Sequence, residues 1–220
     1  FLLMAVFTAW RIDMVSDATQ RMEAASERLK IGSAWQGDVR QNSARSLAVG
    51  YASGNEMLDF FKDAMATTSL ATNEKQQAYV DRATTPASKQ RAEKVIARRQ
   101  VWLQARDEVN ALKTRADNEQ VRAFVQQKFI PATEAYIEAT QELVDGETKD
   151  VAIAQAEVRE LFDELYTMGM VLVILVVAAA TLISWRLSRG IATGVESARA
   201  VAQRIGSGDL SQEIHIKTQD

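Results

Sequence analysis

Cysteine is absent, histidine occurs once, at His215, and proline occurs twice, at Pro86 and Pro131. Without cysteine there are no disulfides, no thiolate zinc sites and no cysteine nucleophile. One histidine cannot build a multi-histidine metal site. With 10 Gly and 2 Pro in 220 residues, little interrupts a helix, and abundant alanine favours one. A dominant charge is missing as well. The formal net charge of -3 leaves no electrostatic footprint for nucleic acid. No nucleophile elbow, phosphate loop or zinc spacing occurs. The chain is therefore expected not to be an enzyme, and to need no cofactor and no metal.

Long apolar runs are present. Residues 168–185 read MGMVLVILVVAAATLISW, 18 residues without a charge. That length just spans a bilayer core with its flanks. Tyr166 and Trp185 bracket the run, where amphipathic rings prefer the interface. Asp163 and Glu164 precede it, and Arg186 and Arg189 follow it. The positive-inside rule places residue 186 onward in the cytoplasm and residue 164 outside. A second apolar run, Phe1–Trp10, is too short for a span that needs about 20 residues. It is read as the truncated end of a first transmembrane helix over 1–19. Residues 20–166 then form an extracytoplasmic insert, and 167–185 the second span.

Breakers cut the insert into four. Gly50, Ser53, Gly54 and Asn55 make the first interruption, Thr84-Thr85-Pro86 the second, and Ala116-Asp117-Asn118 the third. Helices are predicted over 20–52, 56–83, 86–116 and 119–165, with Thr85 and Asn118 as N-caps and a kink at Pro131. Apolar residues recur at helical steps. Leu58, Phe61, Met65, Thr68, Thr72 and Tyr79 mark the second helix, Val95, Trp102, Val109 and Leu112 the third, and Val125, Phe129, Ala132, Tyr136, Ala139 and Leu143 the fourth. Such seams fit an all-α, antiparallel up-down four-helix bundle. The seam of the first helix includes Gly32, Gln36 and Ser43, and so poor a seam suits a face packed on a second subunit.

Beyond the apolar run, Ile191, Val195, Ala198 and Ile205 form one helical stripe, which Gly206, Gly208 and Asp209 end. The arginine pair, the stripe and Gly208-Asp209-Leu210 resemble a HAMP linker over 186–220, with Gly194 where that family has proline. Residues 97–144, with Phe129-Ile130-Pro131-Ala132 followed by Tyr136, resemble the second hairpin of four-helix-bundle sensors. The whole order is similar to the N-terminal half of a bacterial methyl-accepting chemotaxis receptor. That resemblance implies an inner-membrane homodimer that gathers in higher clusters, with its sensor in the periplasm. It also implies a cytoplasmic histidine kinase and a coupling protein, reached through a region beyond Asp220.

A ligand site is sought among polar residues on seams, because burying them requires partners. From Pro86 to Arg115 the third helix carries eight Lys or Arg against Glu93, Asp107 and Glu108. Arg98 is expected in the inward column between Val95 and Trp102, with Arg99 and Arg106 on the flank of that seam. Thr67, Thr68 and Tyr136 offer hydroxyls, and Gln36 and Arg40 lie on the first helix. At about 1.5 Å per residue these fall roughly 18–26 Å from the distal loops. One pocket is expected to join Thr68, Arg98 or Arg99, and Tyr136 around a small carboxylate such as malate or citrate. The competing reading pairs these arginines with the acids of residues 119–150. Glu134, Glu138 and Glu142 fall at four-residue steps, an exposed face. Arg40 and Arg45 resemble part of the arginine pattern of amino-acid receptors, whose third member would fall near the apolar Val49. Two alternatives stand beside the chemoreceptor. One is the same sensor on a histidine kinase or cyclic-dinucleotide enzyme. The other is an amino-acid receptor, or a ligand-free structural protein that answers to a partner.

Overall fold

The computed structural model describes residues 2–115 and 117–206, and every element among them is helical. The elements are α1 (Leu2–Tyr51), α2 (Glu56–Arg82), α3 (Pro86–Arg115), α4 (Asn118–Phe124), a π-helical turn (Val125–Phe129) and α5 (Ile130–Gly206). The chain divides into two compact units, Phe1–Phe162 and Asp163–Asp220.

The first unit is built of antiparallel neighbours. Asp38 pairs with Lys75, Asn42 with Ser69, and Arg45 with Thr68, so numbers fall on α2 as they rise on α1. The same opposition links α1 to α5 through Gln36–Gln141, Arg28–Glu147 and Arg21–Glu157. Its core stacks Trp35, Tyr79, Val95, Trp102, Val109, Val125, Phe129, Tyr136 and Leu143. The seams expected on α2, α3 and the fourth segment therefore do face inward.

The turns have local causes. Thr85 caps α3: its hydroxyl oxygen accepts from the Ser88 N–H (3.1 Å), and its own N–H donates to the Ser88 hydroxyl (3.2 Å). This is a reciprocal capping box. The next cap is Asp117 and not the expected Asn118. Its carboxylate accepts from the Gln120 N–H at 2.8 Å, and Asn118 is already helical. Asp117→Ala is expected to cost about 1 kcal/mol, read as a lowered denaturation midpoint. At the far end of α1, the Lys113 ammonium donates to the carbonyls of Val49 (2.6 Å) and Ala52 (2.7 Å), which the helix terminus leaves without an intrahelical donor.

α1 runs unbroken through residue 20, since Asp17–Gln20 contains no glycine or proline. A π-helical turn lies just before Pro131, where the Ile130 N–H reaches back five residues to the Val125 carbonyl. Val121, Val125, Phe129 and Thr133 are all buried at successive steps of four. In an α-helix each such step overshoots one turn by about 40°. One wide turn absorbs the drift and keeps all four inside.

The poor seam of α1 also has another cause than a second subunit. Asn42, Ser43 and Ser46 are buried inside this unit. Gly32 is there for space: a Cβ on it would lie 2.6 Å from the Leu143 side chain.

The second unit holds the rest of α5. Within α5 lies a stretch long and apolar enough to cross a membrane, and none of it is buried by protein. Val171, Val173, Ile174, Leu175, Val176 and Val177 are among its exposed residues. A contiguous exposed apolar surface of this size marks a face that meets a membrane or another protein. Residues 207–220, including Gly208-Asp209-Leu210, lie outside the described residues.

Candidate functional site

The centre of the first unit is polar where a core is normally apolar. Tyr136 on α5, Trp102 on α3 and Trp35 on α1 are all buried, with the Tyr136 and Trp102 rings 5.6 Å apart. No hydrogen bond of good geometry reaches the Tyr136 hydroxyl or the indole N–H groups of Trp35 and Trp102, although the Trp35 N–H lies near enough to the Tyr136 oxygen to favour its ionised form. None reaches the Ser43 and Ser46 hydroxyls either. Buried polar groups are almost always hydrogen-bonded, and each one left unmade costs about 1–3 kcal/mol. Trp102 and Tyr136 meet at one level, whereas Ser46 lies about 16 Å along α1 from Trp35; groups of this kind are satisfied by water or by another molecule with polar atoms.

Positive charge surrounds this centre. Arg99 is half-buried and donates to Gln76 Oε1 (2.6 Å) and Asn73 Oδ1 (2.5 Å), two neutral acceptors that leave its charge uncompensated. Arg106 lies over the Trp102 ring at 5.3 Å and donates to Asp107. Burial pushes the Tyr136 phenol up to about 12, although the charge of Arg99 and the Trp35 indole N–H work against it. Tyr136 thus holds its proton more tightly folded than unfolded. Its contribution to stability is complete below pH 10 and is lost as the pH rises from about 10 to about 12. Melting temperatures are expected to fall across that window, and less steeply in Tyr136→Phe.

The predicted residues separate into three groups. Tyr136, Arg99 and Arg106 belong to the centre. Thr68 is buried next to it on α2, where its hydroxyl oxygen accepts from Arg45 Nη1 at 2.8 Å. Thr67, Arg98 and Arg40 are exposed, Thr67 on its own backbone and Arg40 on Gln141. For Arg98 this overturns the expected inward column. The flank of α3 that faces the acceptors of α2 passes through Arg99, and Arg98 is about 100° further round, toward solvent. The sequence reading places Trp102 on the apolar seam of α3 and does not single out Trp35. Glu134, Glu138 and Glu142 are exposed, as expected.

A second cluster lies toward the turn between α2 and α3, and sequence reading missed it. Glu147 on α5 is fully buried. Its Oε1 accepts from the Tyr79 hydroxyl (2.6 Å) and from Arg91 Nη2 (2.6 Å), and its Oε2 accepts from Arg28 Nε (2.9 Å). Arg91 also pairs with Asp150. One carboxylate on α5 thereby ties α1, α2 and α3. Burial, then the bond to Glu147, raises the Tyr79 phenol above its ordinary range. Gly146 makes room, because a Cβ there would lie 2.6 Å from Arg91 Cδ. The signal was present: the seam of α5 continued from Leu143 by four residues lands on Glu147, and that of α1 continued back from Trp35 by seven lands on Arg28. The expected alternative of acids paired with the basic third helix therefore holds at Arg91–Glu147, Arg91–Asp150 and Lys94–Glu142.

Among the described residues no three metal-ligating side chains cluster. A scan of protein families and a search of curated proteins found no match to this chain.

Proposed function

We propose that this chain is the sensing part of a transmembrane chemoreceptor that binds a small organic acid, such as malate or citrate, in the polar centre of its first unit. The observation that carries the reading is the set of buried, unpartnered donors at Trp35, Trp102 and Tyr136 beside Arg99. A di- or tricarboxylate presents several acceptor oxygens and negative charge, which is what these groups lack. The amino-acid alternative has less support. Arg45 is engaged within its own chain by Thr68 and the Ala64 carbonyl, and Val49 is buried.

In this reading residues 168–185 cross the inner membrane, with the first unit in the periplasm and Arg186 and Arg189 in the cytoplasm. A HAMP-like segment from 186 carries the signal of a homodimer toward a kinase and its coupling protein. Support comes from α5, which contains both Tyr136 and the apolar stretch. A ligand shifts such a receptor only by binding its two states unequally.

Calorimetric titration of the whole chain in detergent with malate, citrate and aspartate tests the reading. One of the two organic acids is expected to bind. Arg99→Ala should weaken it at least tenfold, as loss of a charge-assisted hydrogen bond is worth about 1.5–3 kcal/mol. Arg98→Ala should leave it unchanged. No heat with any of the three removes the organic-acid claim.

A further inference from the structure

Trp35 belongs to both clusters. It is buried in the same core cluster as Tyr136. Its ring packs on Tyr79 at 6.0 Å between centroids. The Tyr79 hydroxyl in turn donates to Glu147 at 2.6 Å. Two packed rings and one hydrogen bond therefore join the polar centre to the carboxylate that ties α5 to the other helices. We propose that Glu147 is a latch holding α5 in one register, and that Trp35 and Tyr79 couple it to whatever occupies the polar centre.

The geometry makes the latch discrete. Glu147 and Arg28 are both buried, so a shift of α5 that parts them strands two charges away from water. Bonds of 2.6–2.9 Å do not stretch over the 1–2 Å typical of helix shifts. α5 consequently stays at the latched position or leaves it; intermediate positions are unfavourable. Tyr79 is the donor open to control. Arg28 and Arg91 contact Glu147 by charge, whereas Tyr79 sits against the Trp35 ring of the polar centre. An occupant that takes the Trp35 N–H and the Tyr136 hydroxyl re-seats Trp35, and Tyr79 must follow.

The absence of cysteine allows a direct test on the whole chain. Spin labels at Lys30→Cys on α1 and Thr148→Cys on α5, both exposed, report the distance between the two helices by pulsed electron resonance. The unaltered latch should give one narrow distribution. Glu147→Gln should add a second population, displaced on the order of 2 Å, while Glu142→Gln on the exposed face should not. Tyr79→Phe, which keeps the ring and removes one donor, should add a smaller share of the same population. Distributions identical to the parent in both Glu147→Gln and Tyr79→Phe overturn the latch. If Glu147→Gln does not fold, Tyr79→Phe alone decides.

The coupling rests on the organic-acid reading, and malate or citrate tests it separately. Either one, added at saturation to the parent chain, should populate the displaced state, and Trp35→Phe should abolish that response. Binding by calorimetry without displacement overturns the coupling. Displacement in Glu147→Gln with no binding of either acid supports the latch and removes only the organic-acid reading.

Discussion

Glu147→Ala is expected to lower the stability of the first unit by about 3–5 kcal/mol, the cost of breaking a buried charge pair from one side. Domains have only about 5–15 kcal/mol in hand, so this substitution should bring the unit near unfolding at ambient temperature. The size follows from what remains. Arg28 is buried too and would keep its charge without the carboxylate it now pairs with, and the Tyr79 hydroxyl would lose its acceptor. Arg91 would suffer least, because Asp150 stays beside it. The control is Glu142→Ala on the same helix. Its pair with Lys94 is half exposed on both sides, and such pairs are worth about 0–1 kcal/mol. Denaturant unfolding of both variants should separate them by at least about 2 kcal/mol. Equal costs would mean that burial of the cluster is not maintained in solution.

Trp102→Ala is expected to cost about 3–5 kcal/mol as well, by cavity formation rather than charge. The ring fills the layer between Phe129 (6.4 Å) and Tyr136 (5.6 Å) and is almost wholly buried. Two milder changes divide the effect. Trp102→Phe keeps a ring against both neighbours and should cost less than half as much. Arg106→Ala removes only the cation above the ring, a contact worth about 0.5–1 kcal/mol. The order Ala, Phe and then the Arg106 variant is the expected result. Trp102→Phe also removes an indole N–H that has no partner in the protein, so a binding loss larger than its stability loss would assign that group to the ligand.

The legibility of this chain in its sequence varies with the kind of information each feature needs. Helix positions were readable because Pro86, Gly54 and the Asp117–Asn118 pair act locally. The cap at Asp117 was misplaced by one residue, since Asp and Asn are almost equal caps and only the coordinates of the turn decide between them. Arg98 and Arg99 are adjacent on one helix, and their roles differ because Asn73 and Gln76 lie opposite only one of them. That is a tertiary fact with no trace in the periodicity of α3. Glu147 is the reverse case. Its place on the seam of α5 was visible, but an acid there looks like the end of a seam until Arg28, on a helix 119 residues away in the chain, is seen to meet it.

The π-helical turn at Val125–Phe129 has a further meaning for chain length. It is equivalent to one extra residue accommodated without disturbing either flank. The chain can therefore lose one residue there, close the turn as ordinary helix, and leave the faces of both α4 and α5 where they are. Between Ile130 and Glu147 the same deletion would rotate every later side chain by about 100° and take Glu147 out of the interior, and Tyr136 with it if the deletion fell before that residue. The fourth helical segment has one position at which its length is negotiable, and it lies ahead of both clusters on which the proposed receptor depends.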